Sequence, residues 1–172
     1  EALRQFLLGE DMAKEQMLIA GEWCDSEDGA TSDVLNPATG EVIATTPKAT
    51  ISDVERCVQA SRAALKSKEW AMMDPAQRGR VLQKMAAATY ANAKSLAALE
   101  SANNGKTFRE ALSEVRYGAW TLEYFAGLSD KIEGSTIPVP GSRLNYTLKQ
   151  PLGVTAHIVP WNFPLQLAIR SI

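Results

Sequence analysis

Histidine and cysteine are scarce in this 172-residue sequence, which holds one histidine, His157, and two cysteines, Cys24 and Cys57. The cysteines stand 33 positions apart without a CxxC pair or a neighbouring histidine, so no metal site and no disulfide framework is expected. Concentrated positive charge is also missing. Eighteen Lys and Arg against 20 Asp and Glu leave a net charge of -2, and the basic residues are scattered, so neither nucleic acid nor a membrane surface is an expected partner. No apolar run approaches the roughly 20 residues of a membrane span, and the N-terminus lacks the basic-then-apolar layout of a secretory signal. The expectation is a soluble, reduced protein of the cytoplasm.

What is present is 45% hydrophobic and 22% charged residues, enough for a sizeable core. Residue 1 is Glu, and the first methionine, Met12, opens a stretch that reads as a natural start. Residues 1–17 are therefore expected to be a flexible N-terminal extension. Short strands follow around Leu18–Trp23, Ser32–Leu35 and Val42–Thr46, separated by turn chemistry such as Asn36-Pro37-Ala38-Thr39-Gly40.

Ser52-Asp53-Val54-Glu55 has the spacing of a capping box, and the apolar series Val54, Cys57, Val58, Ala64, Leu65 puts Cys57 on a buried stripe. Asp74-Pro75 starts a second helix, with Val81, Leu82, Met85 and Ala86 inward, expected to run through Asn92 towards Glu100. Asn103-Asn104-Gly105-Lys106 breaks it, and Thr107–Glu110 opens a third helix that ends at Gly127. Trp23, Trp70 and Trp120 are expected as core anchors, and Glu100 with Lys106 as a helix-end salt bridge.

Beyond Pro138 and Pro140 the period changes. Leu144–Gln150 alternates like a half-exposed edge strand, while Gly153–Val159 is apolar and β-branched like a strand covered on both faces, with His157 a satisfied core residue. A loop, 160–164, and a helix from Leu165 would complete half of a βαβ unit. Its missing return strand, and an end inside an uncapped helix, imply part of a larger α/β protein.

Pro160-Trp161-Asn162-Phe163-Pro164-Leu165 resembles the NAD(P)-dependent aldehyde dehydrogenases. The same order of motifs continues the likeness over residues 18–172: Ile19–Trp23, Asn36–Val42, Trp70 before Pro75–Arg78, Glu100 before Asn104-Gly105-Lys106, Phe125–Gly127, and Lys149–Val154. The resemblance implies the N-terminal part of an aldehyde dehydrogenase-like fold: residues 18–137 as the first part of a cofactor-binding domain, 138–152 as an oligomerisation strand, and 153–172 as the first strand, loop and helix of a Rossmann-like sheet. It implies NAD or NADP held by Ile158, Val159, Pro160 and Trp161. Asn162 would donate its amide to the oxyanion formed when a cysteine attacks the aldehyde, giving a thiohemiacetal. Phe163, Gln166, Leu167 and Arg170, faced by Tyr117, would contact the substrate, with Arg170 suited to an anionic or strongly polar tail.

The family's nucleophile and general base come later than this segment, so the chain alone is expected to be inactive and the full enzyme a homodimer or homotetramer. A non-catalytic oligomerisation or interaction module derived from the family is the alternative.

Overall fold

The structure, a computed structural model, describes residues 13–172. Its N-terminal part is built of β1 (Ala13–Lys14), β2 (Met17–Ile19), β3 (Glu22–Cys24), β4 (Thr31–Leu35) and β5 (Val42–Pro47). β2 and β3 form a hairpin whose two turn residues, Ala20 and Gly21, both take positive φ, as a tight hairpin turn requires. β5 is central in a second sheet, parallel to β1 and antiparallel to β4. Ala13–Met17, read from sequence as the end of a flexible extension, thus reaches into strands; the remainder, with the start read at Met12, lies outside the described residues.

Five helices follow: α1 (Ile51–Lys66), α2 (Lys68–Ala71), α3 (Pro75–Ala91), α4 (Ala93–Asn104) and α5 (Phe108–Ala126). The first begins earlier than its sequence suggests. Its cap is Thr50, whose Oγ1 accepts from the Asp53 N–H at 3.2 Å while the Asp53 carboxylate accepts from the Thr50 N–H at 2.9 Å. Asp53 also accepts from the Glu27 N–H at 3.2 Å, a contact across the fold that local spacing does not reveal. These donors, the Thr50 N–H foremost, hold its carboxyl below the usual range. Cys57, expected on a buried stripe, is exposed, as is Val54, because the principal neighbours of α1 are only β2 and α2.

The long helix expected from Pro75 towards Glu100 is two helices broken at Asn92. Its φ of -101° and ψ of 12° leave the helical well, and its Nδ2 donates to the Ala88 carbonyl at 2.8 Å. An asparagine amide competes with the helix ladder in this way. Thr107 and Glu110 form a capping box at the start of α5, where the sequence opened a third helix.

The core lies among α3, α4 and α5 and is made of small residues: Ala86, Ala93, Ala97, Ala111, Val115, Ala119 and Leu122 are buried. At Gly79 an added Cβ would lie 2.7 Å from the Ala126 carbonyl oxygen, so backbones approach too closely for large side chains. Trp23, Trp70 and Trp120, expected as anchors, are 67%, 43% and 50% exposed, Trp23 in the β2–β3 hairpin and Trp70 in α2, both outside these three helices.

After α5 come β6 (Thr136–Ile137), antiparallel to β7 (Asn145–Tyr146), and α6 (Pro164–Ser171). This pairing crosses the boundary expected at 137/138. The edge strand expected over 144–150 is reduced to Asn145–Tyr146, with Leu144 and Leu148 exposed. Gly153–Val159 forms no strand, since main-chain groups need neighbouring strands and none lies beside it among the described residues. His157 accordingly is exposed rather than in a core, its Nε2 2.8 Å from Thr155 Oγ1. The α/β class stands. No helix among the described residues is long and apolar enough to cross a membrane.

Gly105 ends α4 in the left-handed conformation at φ 81°, and an added Cβ would sit 2.9 Å from Pro37 Cγ. Gly105→Ala should therefore lower stability by about 1–2 kcal/mol or more, read as a lower urea midpoint. Gly29→Ala, at φ 71° in open space, should cost less, and equal losses would remove the role given to the Pro37 contact.

Candidate functional site

The proline-bracketed loop 160–164 is held from two sides. Below it, α6 docks on α5, with Ile169 buried against Gly118 and Leu165 packed against both core clusters. Pro164 occupies the first turn of α6, where its missing N–H removes no helix bond, and Leu167 N–H returns to the Phe163 carbonyl at 3.0 Å.

From the other side comes Lys106, whose own backbone is fixed in the turn after α4. Its N–H donates to Asn104 Oδ1 at 3.0 Å and its carbonyl accepts from Ser101 Oγ at 2.7 Å. The Lys106 ammonium donates to Glu100 Oε1 at 2.8 Å, to Glu114 Oε2, and to the main-chain oxygen of Asn162 at 2.6 Å. It also stands 4.7 Å from the centroid of the Phe163 ring, a cation–π contact.

This cluster is shielded from water: the side chains of Lys106, Glu100 and Glu114 are 14%, 5% and 19% exposed. Burial pushes the Glu100 carboxyl above its ordinary range, with Glu114 adding to the rise and the hydrogen bond from Lys106 opposing it. Burial pulls the Lys106 ammonium down, but hydrogen bonds and charge from Glu100 and Glu114 outweigh that and raise it. The expected helix-end salt bridge is thus present, and it reaches further than a helix end.

Concavities border α6 on three sides: one of about 560 Å³ runs from Leu82 and Leu122 to Arg170 and Ile172, and two more hold other predicted residues. One, of about 440 Å³, lies between α5 and α6 and brings together the predicted residues Tyr117, Gln166 and Arg170 with Trp120 and Tyr124. Its aromatic wall is continuous, with ring centroids 5.4 Å apart for Tyr117–Trp120 and 5.8 Å for Trp120–Tyr124. The other, of about 500 Å³, joins Ile158, Val159 and Pro160 to Leu167 and Arg170. Arg170 lines all three. Phe163 lines none of them, being turned to Lys106, and Trp161 and Asn162 are exposed in the loop. Among the described residues nothing hydrogen-bonds to the Asn162 side-chain amide.

The family model described as "Aldehyde dehydrogenase family" matches residues 23–172. The chain belongs to the aldehyde dehydrogenase family. A hydroxyisobutyraldehyde dehydrogenase of Mycolicibacterium austroafricanum is 42% identical over 156 residues, covering 91% of this chain and 31% of that protein. A solved aldehyde dehydrogenase of Bacillus cereus superposes with a TM-score of 0.89 at 36% identity, over 97% of this chain and 33% of that one. A betaine aldehyde dehydrogenase of Staphylococcus aureus, crystallised in complex with NAD+, gives 0.88 at 34% identity, over 98% and 34%. The chain spans about a third of the length of these relatives.

Within this aldehyde dehydrogenase chain, Trp120, Tyr124 and Glu114 were not singled out by sequence as site residues. The spacing of Tyr117, Trp120 and Tyr124 on one helix face carried that signal, but Trp120 matched a core anchor equally well. Nothing in the sequence marks Glu114 as a partner of Lys106.

Because the folded protein binds a proton at Glu100 more tightly than the unfolded chain does, the stability this group contributes is full below the ordinary carboxylate pKa and is lost as pH rises through the raised folded value. Glu100→Gln should therefore resemble the parent at about pH 4.5 and gain on it towards neutral pH, read as the difference in urea midpoints. A difference that is constant with pH would contradict the raised carboxyl.

Proposed function

We propose that the complete protein oxidises an aldehyde to a carboxylic acid with NAD or NADP, and that Asn162 is its oxyanion donor. Family membership supports the reaction class, and one observation supports the residue: a loop clamped through the Asn162 main chain while the Asn162 amide stays free to donate. A cysteine thiolate adding to the aldehyde carbon puts charge on the carbonyl oxygen, giving the thiohemiacetal. A fixed neutral amide stabilises that charge without titrating. The flanking prolines limit what the loop must give up in conformational freedom to present it.

NAD(P)+, when bound, accepts the hydride that leaves the substrate carbon. Ile158, Val159, Pro160 and Trp161 would fit one wall of its site: all present apolar side chains, and the first three line the concavity of about 500 Å³ with a main chain free of strand pairing. Tyr117, Gln166 and Arg170 would line the aldehyde's path, with Phe163 and Leu167 beside it. Neither Cys24, whose sulfur accepts from Arg56 at 3.5 Å in the strand region, nor Cys57 on α1 lies in any of the three concavities. We propose that the nucleophile and general base lie outside these residues, and that the 172 residues alone are inactive. The exposed Leu144 and Leu148 beside β7 support a homodimer or homotetramer, and two free thiols suit the cytoplasm. The same apolar residues would serve a non-catalytic pairing module, which self-association without any turnover by the complete protein would favour.

Asn162→Ala in the complete enzyme should lower kcat about 100-fold or more, the scale of one lost oxyanion donor, measured as aldehyde-dependent NAD(P)H formation. Full turnover in that variant would remove the residue from this role. Arg170→Leu should raise KM for acidic aldehydes selectively, and an equal effect on all aldehydes would contradict the pairing assigned to the guanidinium.

A further inference from the structure

We propose that Lys106 is a positioning residue for the oxidation, its ammonium holding the Asn162 main chain so that the side-chain amide meets the substrate oxygen. This inference rests on the proposed role of Asn162. The loop's prolines do not complete the task by themselves. Pro160 and Pro164 fix their own φ and restrict the residues before them, Val159 and Phe163. Trp161 and Asn162, between the prolines, keep their freedom, and both are exposed. What fixes Asn162 is the 2.6 Å hydrogen bond from Lys106 Nζ to its carbonyl oxygen, made across 56 positions of sequence.

The tether is stiff at both ends. Lys106 sits in a turn anchored through Asn104 and Ser101, and the next residue, Thr107, caps α5. Glu100 and Glu114 use the ammonium's other donors and fix its direction, and the Phe163 ring closes a further side. An ammonium has three donors, and here each has an acceptor. The third acceptor is the loop's own main-chain oxygen, so the ammonium ties the loop as well as joining α4 to α5.

The test uses the complete enzyme with Lys106→Met and Asn162→Ala, singly and together, with kcat expressed per titrated active site and KM measured alongside. Lys106→Met should lower kcat about 10-fold or more, since small displacements of a positioned group are costly, with KM changed about twofold at most. In the Asn162→Ala background the same substitution should change kcat less than about twofold, because the group through which it acts is gone.

Equal losses in both backgrounds, or no loss at all, would overturn the inference while leaving Asn162 in its role. No loss from Asn162→Ala alone would overturn both. Since Lys106→Met leaves two buried carboxylates facing each other, Lys106→Met with Glu114→Gln is the companion variant: Glu100, already inclined to hold its proton, can then be neutral. It should show the same kcat loss and the same silence in the Asn162→Ala background. Parent-like kcat in this pair would overturn the proposal.

Discussion

The close approach of α6 to α5 at Gly118 is the constraint on which the rest of the site depends. A Cβ there would stand 2.8 Å from Ile169 Cδ1, so the absence of a side chain on α5 lets Ile169 enter the core. Burying such a side chain contributes about 2 kcal/mol, and Leu165 adds its contact with both core clusters. Because the loop 160–164 runs directly into α6, seating that helix also places Pro164, Phe163 and Asn162. The alanine-rich faces of α3, α4 and α5 extend the same principle: small residues bring helices close, and position is gained at the expense of large buried side chains.

The charged cluster above that seam has a different value. Burying an ammonium beside two carboxylates costs desolvation that their attraction only partly returns, so it is a weak source of stability. It is directional, however, and it joins the turn after α4, the body of α5 and the loop before α6 at one nitrogen. Apolar packing tolerates sliding. A hydrogen-bonded ammonium with its acceptors fixed does not, which suits a loop proposed to present an amide in one place.

Local chemistry was legible in the sequence where it is self-contained. The Asn36–Gly40 turn, the helix start at Thr107–Glu110 and the glycine ending α4 each need only their own few residues. Readings failed where a distant partner decides. At α1 two local boxes compete, Thr50–Asp53 and Ser52–Glu55, and only Asp53 also receives the Glu27 N–H; α1 starts ahead of the Ser52 box. Gly153–Val159 has the composition of a buried strand but no strand beside it among the described residues, and the tryptophans have the volume of core anchors but lie in elements outside the core or on its outer face. The motif around Asn162 marked the candidate loop, yet the contact of Lys106 with the Asn162 carbonyl has no signature, since a main-chain acceptor leaves no trace in residue type.

The central claim is that the Asn162 amide donates to developing oxygen charge, and the most direct measurement is the single-turnover rate of NAD(P)H formation in the complete enzyme carrying Asn162→Asp. That substitution keeps size and shape but replaces the donor with a carboxylate. The account predicts a rate lower by about 1000-fold or more, beyond the loss of a single donor because repulsion is added, with cofactor affinity unchanged. A rate within about twofold of the parent would contradict it.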